Sequence, residues 1–282
     1  KLEKVLDFLE FTHRKEIYTY KNTILGYTIV VDFAGKGKIT YPDGVIVNDE
    51  TTSNLTKNEN FVVLECVYRL LKLGYKPECI ELEPKWEAPH DIGGGGKADV
   101  LVKDNAGESF LLIECKTWGK EFDNYWKKTE QDGDQLFFYA VQKRSTQYLC
   151  MYASNWDNDE LVRKSNIISL KDNTATLESF DEPISFEKAN DKSSLFAAWN
   201  ITYGKYSFKN GIFEDTCIPY LIEEKGRDIS NITEISHDDI QKKYHEFTTI
   251  LRQHNVSGRE NAFDKLVNLF LAKIVDEIRN SD

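Results

Sequence analysis

The run Phe110-Leu111-Leu112-Ile113-Glu114-Cys115-Lys116 constrains this chain more than any other stretch. Side chains alternate along a strand, so Phe110 and Leu112 share one face and Leu111 and Ile113 the other. Apolar residues at both parities predict a central strand covered on both sides. Such a strand would stay apolar to its end, yet this one finishes on Glu114 and Lys116, and buried charge is costly unless something pairs with it. A second apolar run, Ala98 to Lys103, precedes it, and Asp104 to Glu108 between the two reads as a turn. Closing that hairpin around Ala106 and Gly107 sets Asp99 opposite Glu114, where facing residues sit ~4.5–5.5 Å apart. Glu114 and Lys116, two apart, share a face. Two carboxylates and one ammonium are therefore expected at the mouth of a buried sheet.

The rest of the chain supplies the layers such a strand requires. Leu2, Val5, Leu6 and Leu9 lie at helical spacing and predict helix through residues 1–20. Residues 24–47 read as strands broken by turns at 34–38 and at Pro42-Asp43-Gly44. The stripe Phe61, Leu64, Val67/Tyr68, Leu71 predicts a helix closing near Gly74. A short strand follows from Cys79, then a loop over 87–96 that ends in four glycines. Residues 132–144 predict a helix capped by Asp132 or Asp134, and 145–155 and 166–171 two more strands. Beyond about residue 190 the pattern is helical, and Ser257 with Glu260 forms a capping box. The expected organisation is an α/β domain over 1–190, a linker over 191–235 and a helical module over 236–282.

A net charge of −11 argues against a protein that coats nucleic acid by bulk attraction. It leaves room for a local basic groove built from Lys116, Lys120, Lys127, Lys128, Lys143 and Arg144. Cys66, Cys79, Cys115, Cys150 and Cys217 form no CxxC pair, and the five histidines form no HxxxH pair. A disulfide framework and a zinc site are both disfavoured, in keeping with a reducing compartment. No apolar run approaches the ~18 residues of a membrane span, so a cytoplasmic protein is expected, and a chain opening on Lys1 reads as a piece of a longer one. Gly93 to Lys97 is not a Walker A loop, because Asp91 stands where that motif needs glycine and Ala98 where it needs Ser or Thr. Trp118 and Trp126 read as core aromatics rather than base-stacking rings.

Close carboxylates repel unless a cation lies between them, and a few oxygen ligands suit Mg²⁺, which keeps several of its waters. A lysine beside them can hold an attacking water and offset developing phosphate charge. Asp99, fourteen residues, then Glu114-x-Lys116 resembles the motif of the PD-(D/E)xK nucleases, with Ala98 in place of the motif's proline. Pro42-Asp43 is a decoy, since no ExK ends the strand after it. Gln135 and Tyr139, at i and i+4 on one helix face, resemble the QxxxY set of the nuclease domains of type I restriction enzymes and of fused restriction-modification proteins. The resemblance covers roughly residues 35–155.

It implies a restriction-endonuclease-like mixed central sheet flanked by helices. It also implies metal ligation by Asp99 and Glu114, a catalytic Lys116, and Glu65 as a further acidic ligand on the upstream helix. Gln135 and Tyr139 would support the site or touch DNA. The implied activity is Mg²⁺-dependent hydrolysis of double-stranded DNA, with Mn²⁺ able to substitute. The tail resembles the helical segment ahead of the catalytic domain in N6-adenine DNA methyltransferases. No Asn-Pro or Asp-Pro occurs, however, so methyltransferase chemistry itself is absent. Methyltransferase and target-recognition domains are then expected elsewhere in the same polypeptide or complex. A silent nuclease-like docking module, and a repair nuclease or junction resolvase, are the alternative readings.

Overall fold

A computed structural model describes residues 2–84, 97–104, 106–170, 188–202 and 207–209, together with 267–268 and 270–272. The chain divides into two compact units, Lys1–Ile222 and Glu223–Asp282. In the second, 267–268 and 270–272 are helical; the remainder of the expected helical module lies outside the described residues, as does the four-glycine loop.

The first unit opens with a short helix, α1 (Leu2–Phe8), which buries Val5 and Leu6. The helix expected through residue 20 stops there, because Glu10 takes a left-handed φ of 64° and period-two burial takes over. Tyr18 and Tyr20 alternate inward along β2 (Ile17–Asn22). With β1 (Thr12–Arg14), β3 (Tyr27–Asp32) and β4 (Lys38–Thr40), this strand makes an antiparallel sheet in the order β1-β2-β3-β4.

α2 (Asn58–Lys72) buries nearly its whole circumference, from Val62 through Leu71. That burial has a structural cause, since the N-terminal sheet covers the side of α2 that the main sheet does not. Tyr20 meets Tyr68 edge-on at 4.9 Å between ring centroids.

The main sheet has seven strands. In chain order they are β5 (Ile46–Val47), β6 (Ile80–Leu82), β7 (Val100–Lys103), β8 (Ser109–Cys115), β9 (Tyr148–Asp157), β10 (Glu160–Ser169) and β11 (Ser207–Lys209). Their spatial order is β11-β10-β9-β8-β7-β6-β5, which puts β8 in the middle. β5 pairs parallel with β6, and β8 with β9; the remaining pairs are antiparallel. Every residue of β8 is buried.

The two parities of β8 do go to different layers. Leu111, Ile113 and Cys115 join the core beneath α2. Leu112 joins the opposite core, built by α3 (Lys120–Asp132), α4 (Asp134–Gln142) and α5 (Lys192–Thr202). Phe110 is the exception: it packs on the α2 side against Tyr148, beside a bulge between Val102 and Lys103. The architecture is thus a mixed α/β sheet flanked by helices.

Three stretches differ from the sequence reading. α3 was not expected, although Phe122, Tyr125/Trp126 and Thr129 recur at i, i+3/i+4 and i+7 and turn to the core; the rest of the helix is polar. The helix after it is capped by Gly133, not by Asp132 or Asp134; Asp132 instead accepts the Asp134 amide at 2.9 Å. Gly133 has φ 81°, and a Cβ there would lie 2.8 Å from Phe137, so this tight joint between α3 and α4 requires glycine. The expected linker over 191–235 begins with α5 and β11, both inside the first unit, which runs on past residue 190 to Ile222. α5 opens on a reciprocal cap between Asp191 and Ser194 and packs the fully buried Trp199 against Phe137. No helix among the described residues is long and apolar enough to cross a membrane.

Candidate active site

The register of β7 and β8 builds the site. Val100 pairs with Ile113, so the next pair along the ladder is Asp99 and Glu114, as the hairpin spacing predicts. Asp99 Oδ2 accepts the backbone N–H of Cys115 at 2.7 Å, which holds its carboxylate across the end of β8. The Lys116 N–H donates to the Tyr152 carbonyl at 2.8 Å, continuing the β8–β9 ladder one residue past the strand. Lys116 therefore leaves the sheet on the face that carries Glu114.

Lys116 Nζ donates to Glu114 Oε1 at 2.7 Å and to Glu59 Oε1 at 3.0 Å. It also lies 4.8 Å from the ring centroid of Tyr125 on α3. Glu114 and Lys116 are only 4% and 6% exposed. Burial works against the Lys116 charge, but Glu114, Glu59 and Asp99 outweigh it and hold the ammonium well above its usual range. Burial pushes Glu114 up to about 7, with Lys116 pulling the other way. Asp99 is also raised, first by burial and then by Glu114, against the Cys115 amide. Glu59, Asp99 and Glu114 face a single ammonium. Fully ionised, that set would carry a formal charge of −2.

Glu114 Oε2 is buried with no hydrogen-bond partner. An orphaned carboxylate oxygen beside a second carboxylate is what a hard cation with oxygen ligands would satisfy. Among the described residues no group of three or more His, Cys, Asp or Glu side chains gathers in a ligand cage. Two carboxylates, hard oxygen donors, fit Mg²⁺ and fit a thiol- or imidazole-seeking metal poorly.

The remaining expected residues divide. Tyr139 is buried with its hydroxyl turned to Glu114; burial, then Glu114 and Asp99, keep that hydroxyl protonated. Gln135, one turn earlier on α4, is half-buried and its Oε1 has no partner. Glu65 is in the wrong place for a ligand of this site. Its helix face turns to the opposite side of the sheet, where Oε1 accepts from Arg163 Nε and Oε2 from the Tyr152 hydroxyl, each at 2.7 Å. The acidic side chain of α2 that reaches Lys116 is Glu59, in the first turn. Six residues rotate a helix by roughly 240° beyond a full turn, so Glu59 and Glu65 cannot share a direction.

The sequence reading missed Glu59 because both glutamates fit an upstream helical acid. It missed Tyr125 because α3 itself went unread. Glu83 was also missed: buried at a left-handed φ of 49°, it donates its N–H to the Asp99 carbonyl at 3.0 Å and holds the start of β7. Trp126 packs partly into the core as expected, whereas Trp118 is 40% exposed. No protein-family model matches the chain, and no curated protein matches it at a significant level.

Proposed function

We propose that this chain is a Mg²⁺-dependent endonuclease domain with a restriction-endonuclease-like fold, hydrolysing phosphodiesters of double-stranded DNA. One observation carries the reading: Asp99, Glu114 and Lys116 converge at the end of the central strand, with Glu114 Oε2 left unpartnered. Asp99 and Glu114 would hold Mg²⁺, and Mn²⁺ would substitute. The bound cation would polarise the phosphoryl oxygen and lower the pKa of a water.

Lys116 keeps its proton, so its part is to orient the attacking water and offset charge on the phosphate rather than to accept a proton. Glu59 steadies Lys116 from the end of α2. Tyr139 steadies Glu114, and Gln135 lies one turn away with a free amide oxygen. Restriction-modification partners, a methyltransferase and a target-recognition domain, follow from the QxxxY set and belong to the same proposal.

The test is Mn²⁺- or Mg²⁺-supported nicking of supercoiled plasmid by this chain beside its Lys116→Ala variant. Nicking by the wild type that the variant loses supports the reading. Equal nicking by both would falsify it. No nicking by either, together with no heat of Mg²⁺ or Mn²⁺ binding at millimolar concentration, would leave a docking module with a nuclease-like fold.

A further inference from the structure

The outer face of α3 borders the site and carries charge that the fold does not use. α3 has four acids, and three of them have partners. Glu121 accepts the N–H and hydroxyl of Thr117, Asp123 pairs with Lys164 at 2.6 Å, and Asp132 accepts the Asp134 amide. Lys120, Lys127 and Lys128 are exposed and have no ion-pair partner among the described residues. Lys15, Lys21 and Lys36 are likewise exposed and without an ion pair among the described residues, so what marks the α3 lysines is their place beside the candidate active site.

Two observations join this face to the site. Tyr125 lies under both Lys116 and Lys128, whose Nζ atoms stand 4.8 and 5.1 Å from its ring centroid. An open depression of about 570 Å³ is lined by Glu121, Asn124, Tyr125, Lys127, Lys128 and Gln131, and the Glu121 carboxylate is turned to Thr117. Asn124, Lys127/Lys128 and Gln131 recur at i, i+3/i+4 and i+7, one helix face about 10 Å long at 1.5 Å per residue. That length matches about three nucleotide steps of one strand at ~3.4 Å each.

We propose that this face of α3 is the track for the phosphate backbone of the duplex flanking the scissile bond. Lys127 and Lys128 neutralise phosphates, and the amides of Asn124 and Gln131 donate to phosphate oxygens. The track rests on the nuclease reading of Asp99, Glu114 and Lys116. A duplex fits better than a single strand, because single-strand grooves present rows of rings to unstacked bases. Here the Tyr125 ring is covered by lysines and Trp126 packs inward, so the face offers charge and amides rather than stacking surfaces. Contacts of this kind fix register on the duplex and carry no sequence information.

The experiment is binding of a fluorescent duplex to the full chain across a series of KCl concentrations, with Ca²⁺ present. It compares wild type, Lys127→Ala/Lys128→Ala, and a control, Lys4→Ala/Lys72→Ala, whose lysines are exposed and already paired with Asp159 and Glu10. All four positions are at the surface, and thermal midpoints verify folding. The track requires weaker binding by the α3 variant and a slope of log K against log salt shallower by about 2, at ~0.9 per phosphate contact. The control keeps the wild-type slope. Equal slopes for wild type and α3 variant, or an equal loss in the control, overturn the track while the nuclease reading stands. No duplex binding by the wild type at low salt overturns both.

Discussion

Two buried glutamates, on opposite faces of the main sheet, separate structure from chemistry in this protein. Glu65, 0% exposed on the α2 side, has a donor on each oxygen, Arg163 on one and Tyr152 on the other. Glu114, 4% exposed on the α3/α4 side, has Lys116 on Oε1 and the Tyr139 hydroxyl turned to it, while Oε2 accepts no hydrogen bond. Depth and residue type are nearly the same. A buried carboxylate whose oxygens are both satisfied ties elements together, here α2 to β9 and β10. One left half-satisfied holds free energy that a ligand can release, and such groups concentrate at functional sites.

The largest test of that contrast is catalytic. Lys116→Ala should lower cleavage by about 10²–10³-fold or more, and because it takes the one ammonium from buried Glu114 it should also lower the thermal midpoint. Asp99→Ala should lose cleavage alike. Plasmid nicking below the midpoint that each variant's melting curve gives checks both. Glu65→Ala should change stability and leave the chemistry of any folded protein alone. Leaving Arg163 and Tyr152 without their acceptor should destabilise the fold by about 3–5 kcal/mol, measured by urea unfolding. An inactive Glu65→Gln variant of unchanged stability would break the comparison.

A third test uses the sign of the Glu114 shift. Its folded pKa is raised, so the metal-free fold binds that proton more tightly than the unfolded chain does. Stability is then greatest below the ordinary value of 4.5, falls as pH rises toward about 7, and levels above it. The raised Asp99 adds to the same trend. Melting in chelator across that range should show the fall, and Glu114→Gln should flatten it and stabilise the metal-free protein at pH 8 by on the order of 1–3 kcal/mol. Added Mg²⁺ should restore wild-type stability and leave the variant unmoved. The smallest effect belongs to Glu59→Gln. Glu59 is partly exposed and Lys116 keeps Glu114, so cleavage should fall by about tenfold or less, at ~1 kcal/mol for one charged hydrogen bond.

Local pattern was enough wherever one element's own residues decide its environment. Apolar residues at both parities of β8 suffice for a strand covered on both faces, and the length of the hairpin turn suffices to set Asp99 against Glu114. The helix carrying Leu64 and Leu71 and the strands around Cys150 and Ile167 were legible for the same reason. α3 was not assigned: its inward stripe of Phe122, Tyr125/Trp126 and Thr129 has helical spacing, but it carries no aliphatic residue and the helix is polar everywhere else. The first twenty residues misled because Leu2 to Leu9 are helical, and only a left-handed turn at Glu10 ends them.

What the amino-acid order determined by itself, then, was the central hairpin and the convergence of Asp99, Glu114 and Lys116, since strand parity and turn length are local quantities. Which helical acid joins them was a matter for the tertiary structure alone. Glu59 and Glu65 lie on one helix, and only the packing of α2 between two sheets sets its rotation. That rotation brings the first turn to the end of β8 and turns Glu65 away to Arg163.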